Sequence, residues 1–203
     1  MKHKKLFAIL TLVCFMFTLM PVAAMASDGV IDTEAELKAA IEKGGEVVLG
    51  DNITLSRSLV VTGSGITLDL AGKIISSDVS TIVVDDGGKL TVKDSSATDN
   101  TAGQGKIVTT DSTGDYEAIA VKNNSTLVLE GGTIESECYG IYAYSSGGNI
   151  IMNDGVVDAD YMAIAVGAGS AAISGGTHHA ACGYPSGKGG ERPHRRLRAP
   201  GRC

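Results

Sequence analysis

Five of the six tyrosines fall between residues 116 and 161: Tyr116, Tyr139, Tyr142, Tyr144 and Tyr161. Tyr142 and Tyr144 alternate with Ile141 and Ala143, and a two-residue period places alternate side chains on opposite faces of a strand. With the aliphatic residues inward, both rings face outward. An outward tyrosine offers an apolar ring and a polar hydroxyl, a contact suited to stacking on a sugar. Tyr142, Tyr144 and Tyr116 are therefore the candidate residues for binding carbohydrate or a partner protein. The competing explanation is the ordinary preference of tyrosine for strands.

The acids are numerous but scattered: Asp85-Asp86, Asp94, Asp99, Asp111, Asp115 and the Asp158-x-Asp160 pair. Calcium takes about six to eight oxygens converging from several positions. Asp94, Asp99, Asp158 and Asp160 are the candidate ligands for it, yet none sits in a recognisable calcium loop, and solvated turn acids are the simpler reading. Glycoside hydrolysis needs two carboxylates facing each other across a cleft, roughly 5 to 9.5 Å apart. Asp85-Asp86-Gly87-Gly88 reads more simply as an acidic turn between strands. Residues 27–177 contain no histidine and one arginine, Arg57, so they hold no Ser-His-Asp triad and no His-based metal site. His178, His179, His194, Cys182 and Cys203 fit no common zinc spacing. Together with Cys138 they leave three cysteines beyond residue 26, an odd number that gives no disulfide framework. No catalytic residue is assigned, and calcium is the sole cofactor considered.

The elements that would position these side chains are legible as a repeat. Apolar pairs recur in register: Leu127/Leu129, Ile150/Met152, Ala171/Ile173. Each precedes a glycine and a small or β-branched pair: Gly132-Thr133-Ile134, Gly155-Val156-Val157, Gly176-Thr177. A second alternating segment closes each row, Gly140-Ile141-Tyr142-Ala143 and then Ala163-Ile164-Ala165-Val166. The period is 23 and then 21 residues, in the range of solenoids. Each row holds short alternating strands separated by Gly, Asn, Asp and Ser, the residues of turns. Strands at a fixed offset pair in parallel about 4.8 Å apart, so like stacks on like: Ile119, Ile141 and Ile164 in one column, Val121, Ala143 and Val166 in the next. Earlier rows show the same mark at Gly72-Lys73-Ile74 and Gly105-Lys106-Ile107. Their extra length falls in two loops, Asp94–Gly105 and Thr109–Asp115, and loops on a rigid scaffold are where function concentrates. Cys138, aligned with Tyr116 and Tyr161, is expected to be a packing residue.

Rows of the form apolar-x-apolar-x-G-G-T-I … G-I-x-A resemble the right-handed parallel β-helix of pectate-lyase-like proteins. The resemblance covers about residues 30–177. It implies an all-β solenoid and leaves function open, because members include polysaccharide lyases, hydrolases, phage tail proteins and bacterial surface proteins. The Thr-Glu-Ala-Glu-Leu-Lys-Ala-Ala-Ile opening and Ile66-Thr-Leu-Asp-Leu-Ala-Gly-Lys-Ile74 are similar to secreted β-helix proteins of Gram-positive bacteria. A lyase of this kind would carry clustered aspartates for calcium and a basic catalytic residue, which the scattered acids and lone Arg57 do not match.

The two ends differ from the ladder. Lys2, Lys4 and Lys5, an apolar run from Leu6 to Met20, and Ala24-Met25-Ala26 read as a signal peptide over residues 1–26, too short in its apolar part to span a bilayer. Thr33 with Glu36 predicts a capping box opening a helix over about 33–43, with Leu37, Ala40 and Ile41 on one face. Such a helix would cover the open end of the solenoid core. At Thr177 the pattern breaks. Residues 27–177 carry 8 Lys/Arg against 22 Asp/Glu, a net charge of −14, whereas 178–203 carry six against one, a net charge of +5. That basic tail reads as disordered or frame-shifted, and a ladder stopping there leaves an open coil for end-to-end association.

The sequence thus predicts an exported β-helix domain of a cell-surface or adhesin-like protein, non-enzymatic, binding a polysaccharide, cell-wall glycan or partner along its face. It predicts no nucleic-acid partner and no membrane span once the signal is cleaved. The alternative is a degenerate or truncated polysaccharide lyase or glycoside hydrolase of the same fold.

Overall fold

The computed structural model describes residues 29–98, 103–111, 113–144 and 147–180. The expected signal segment 1–26, Asp99, and residues 181–203 with Cys182, His194 and Cys203 lie outside them. Strand β1 (Val30–Ile31) leads into helix α1 (Glu34–Lys43). The predicted capping box is present: the Glu36 N–H donates to the Thr33 hydroxyl at 3.3 Å, and the Thr33 N–H donates to the Glu36 carboxylate at 3.1 Å. Leu37 and Ile41 of α1 are buried and join the solenoid core, with Ala40 packed against it. The helix touches the first coil, as the lid was expected to.

The chain then winds through about six turns of an all-β parallel solenoid, consistent with a right-handed parallel β-helix. The coils are β2 (Gly45–Leu49), β3 (Ile53–Thr54), β4 (Leu59–Val61); β5 (Ile66–Asp69), β6 (Ile74–Ser77), β7 (Ile82–Val84); β8 (Lys89–Lys93), β9 (Lys106–Thr109), β10 (Glu117–Val121). Next come β11 (Thr126–Leu129), β12 (Thr133–Ser136), β13 (Tyr139–Ala143), and β14 (Gly148–Met152), β15 (Val156–Ala159), β16 (Met162–Val166), and last β17 (Gly169–Ile173) and β18 (Thr177–Ala180). Each of five coils gives one strand to each of three sheets, and β17 and β18 extend two of them, in the orders β1-β2-β5-β8-β11-β14-β17, β3-β6-β9-β12-β15-β18 and β4-β7-β10-β13-β16.

The columns match the repeat. Leu127, Ile150 and Ala171 are in register, and so are Ile119, Ile141 and Ile164. From Leu90 through Ile150 the inward residues are essentially solvent-free. The core is thus a set of aliphatic stacks, each side chain closed above and below by its counterparts. That explains why so few aromatic rings are needed.

One alignment is corrected. The sequence reading set Gly72-Lys73-Ile74 against Gly105-Lys106-Ile107, yet Ile74 pairs with Lys106 and Ile75 with Ile107. Ala71 and Gly72 both adopt positive φ, 47° and 79°, so the corner consumes one more residue and Ile75, not Ile74, enters the core. The ladder also runs three residues past Thr177: β18 pairs with β15, setting His178 against Val157 and His179 against Asp158. Parallel pairing uses backbone groups, so the strand continues although the side-chain pattern has ended.

Candidate functional site

The third sheet places the tyrosines. Along β13 the core takes Gly140, Ile141 and Ala143, while Tyr139 and Tyr142 face out, followed by Tyr144. Two successive inward positions, 140 and 141, call for a small residue at 140, and in this coil it is a glycine. A Cβ there would run into Val157 Cγ1 and the Ala163 carbonyl. The neighbouring coils use the next smallest residue, Ala118 and Ala163, in the same place.

This corner gathers four rings. Tyr139 stacks on Tyr142 with centroids 5.3 Å apart and planes 17° from parallel. Tyr142 leans on Tyr144 at 4.4 Å, and Tyr161 meets Tyr139 edge-on at 5.2 Å. Lys122 Nζ lies 4.5 Å from the Tyr144 ring centroid, a cation held by the negative face of the ring. In the column of Tyr142 the outward neighbours are Ala120 and Ala165, whose short side chains leave the ring room to lie along the sheet.

Beneath the rings is a buried carboxylate. Glu117 is in register with Tyr139 and only 2% exposed. It accepts hydrogen bonds from the Ser80 hydroxyl at 2.8 Å and the Tyr144 hydroxyl at 3.0 Å. Burial first, then the charge of Glu117 and the hydrogen bond to it, pushes the Tyr144 hydroxyl well above the ordinary tyrosine range. Tyr144 is thus held by a hydrogen bond at its hydroxyl and by Lys122 over the face of its ring.

Of the three tyrosines predicted as a site, Tyr142 and Tyr144 are brought together. Tyr116 stands apart: 40% exposed, it ends a loop, and among the described residues its ring stacks on none of the others. Tyr139 and Tyr161, noted in the sequence but not assigned to the site, complete the cluster. Glu117, Ser80 and Lys122 were missed. Glu117 was recoverable by extending the column alignment one residue, because it precedes Ala118-Ile119 as Tyr139 precedes Gly140-Ile141.

The acids hold the backbone. Asp94 accepts from the N–H groups of Gly72 at 2.8 Å, Ser96 at 3.1 Å and Gly105 at 2.7 Å. Burial alone would raise its pKa, but the Ser96, Gly105 and Gly72 donors outweigh burial and hold it below the ordinary carboxylate range. A carboxylate facing three N–H donors is tied to the protein's own turns. Asp111 does the same for the second loop, accepting from Thr113, Asp115 and Tyr116. Against the cost of burial, these donors likewise hold it low. Asp158 and Asp160 are exposed, Asp158 stacked between Glu135 and His179 on the second sheet. Among the described residues no three of His, Cys, Asp and Glu form a metal-holding group. Asp85 accepts from Asp86 N–H and from Asn123 Nδ2, the acidic turn expected of it. Cys138 is buried, as its alignment implied.

No helix among the described residues is long and apolar enough to cross a membrane. No family model, curated protein or solved structure matches the chain.

Proposed function

We propose that the protein is an exported, non-enzymatic β-helix that binds glycan along the outer face of its third sheet, as part of a cell-surface or adhesin-like protein. The observation that carries this reading is the ring cluster Tyr139–Tyr142–Tyr144–Tyr161. Tyrosine rings gathered on an outer face offer apolar surface and hydroxyls of the kind that stack on sugar rings. The basic n-region, apolar run and Ala24-Met25-Ala26 site support export.

A glycan array with the purified protein tests the reading, with Tyr142→Ala as the matched variant. Binding of at least one glycan class is expected, weakened at least about fivefold by Tyr142→Ala, the size of one aromatic stacking contact. A blank array removes the binding half of the proposal. Turnover of pectin, polygalacturonate or a related glycan, with or without calcium, overturns its non-enzymatic half.

A further inference from the structure

The last described coil differs chemically from all that precede it. From Tyr161 to Ala180 there is no Asp, Glu, Lys or Arg, on a chain that carries 17 basic and 23 acidic residues. Residues of β16, β17 and β18 surround an open hollow lined by Met162, Ile164, Val166, Ala171, Ile173 and His178. Val166 is 43% and Ile173 46% exposed. Their counterparts one coil earlier, Ala143 and Met152, are fully buried. The outer edges of these three strands have no partner strand among the described residues.

We propose that this uncharged end is an interface between two copies of the chain, joined end to end, and that His178 makes the joint sensitive to pH. Charge favours a second copy as the occupant. Residues 27–177 carry a net −14, so side-by-side contacts bring acidic flanks together, while residues 161–180 meet their own image without like-charge repulsion and the +5 of residues 178–203 on each copy complements the −14 of the other. A two-fold axis across the solenoid sets one open strand edge against its own copy and each of the other two against the other's copy, every pair running antiparallel. Antiparallel pairing then satisfies the open N–H and C=O groups, and one self-complementary patch closes the dimer.

His178 occupies the core column of Ile107, Ile134 and Val157. In the joined state it is buried, where the neutral imidazole is tolerated and the charged one is not. Its register partner is Val157 on β15, and Met162, Ala163 and Ile164 on β16 and Ala171 and Ile173 on β17 line the same hollow, none of them titratable. Asp158 and His179 lie on the outward face of the second sheet. Nothing described offers a protonated His178 a counter-charge inside the joint, so acid separates the copies.

Sedimentation velocity of the full chain between about 1 and 200 µM, at about pH 7.5 and about pH 5, tests this. A dimer is expected at the higher pH, with a dissociation constant at least about tenfold larger at the lower. Ile173→Asp and Val166→Asp should each give monomer at both pH values while keeping the parent circular dichroism. His178→Val, which retains His179 and His194, should dimerise equally at both. A monomer throughout the range at pH 7.5 overturns the proposal. So does a dimer that survives both aspartate variants, because its contact lies elsewhere. A monomer in which Ile173→Cys resists thiol labelling points to residues 181–203 as the cover and overturns it too. Persistent pH dependence in His178→Val overturns the role given to that histidine.

Discussion

Shortening Ile141 to alanine probes the column on which the tyrosine face is built. Ile141 is fully buried, with Ile119 on one side and Ile164 on the other. The substitution deletes three carbon groups at about 0.8 kcal/mol each and leaves a cavity that rigid ladder neighbours cannot fill, so it should cost about 3–4 kcal/mol. Ile164 makes the same column one coil later but is only partly buried, because the last described coil covers it incompletely. Ile164→Ala should therefore cost about half as much, ~1–2 kcal/mol. Urea unfolding followed by circular dichroism, at low protein concentration where copies stay apart, reads the difference. With a slope of about 2 kcal/mol per molar urea, the midpoint should fall by about 1.5–2 M for Ile141→Ala and by less than about 1 M for Ile164→Ala. Equal costs, or a larger one at Ile164, would refute both the inward assignment and the openness of the last coil. Ile141→Asp, which places an unpaired charge in the same stack, should abolish the cooperative transition.

Two further outcomes follow from the polar anchors. Asp94→Ala leaves three turn N–H groups without their acceptor and should lower stability at neutral pH by about 2–3 kcal/mol. The parent should lose stability as pH falls below about 4, because Asp94 and Asp111 have depressed folded values and their contribution, present above the unfolded value, is lost as pH drops through the folded one. An acid limb unchanged in a double variant of Asp94 and Asp111 would contradict this. Tyr144 has the opposite sign. Its folded value is raised, so its contribution is full below about pH 10 and fades as pH rises toward the folded value. Ultraviolet titration should show one late-ionising tyrosine that Tyr144→Phe removes, and a Tyr144→Phe variant that still shows it would place the high value elsewhere.

The sequence by itself determined the solenoid, its period, the inward columns from Leu127 to Ile173 and the capping helix. Each of these depends on spacing along the chain, and a parallel ladder converts a repeated spacing directly into stacking. It also named Tyr142 and Tyr144 as outward residues, because strand alternation is local. Tertiary structure decided the rest. Whether Ile74 or Ile75 enters the core depended on a two-residue corner with positive φ, which apolar periodicity does not encode. That four tyrosines meet while Tyr116 stays apart depended on how the corner packs rings from β13, residue 144 and residue 161, which are brought together only by the winding. The burial of Glu117 depended on Ser80 and Tyr144, 37 and 27 residues away. Hydrogen bonds across coils are fixed by the register of the winding, and no stretch of sequence read alone contains both partners.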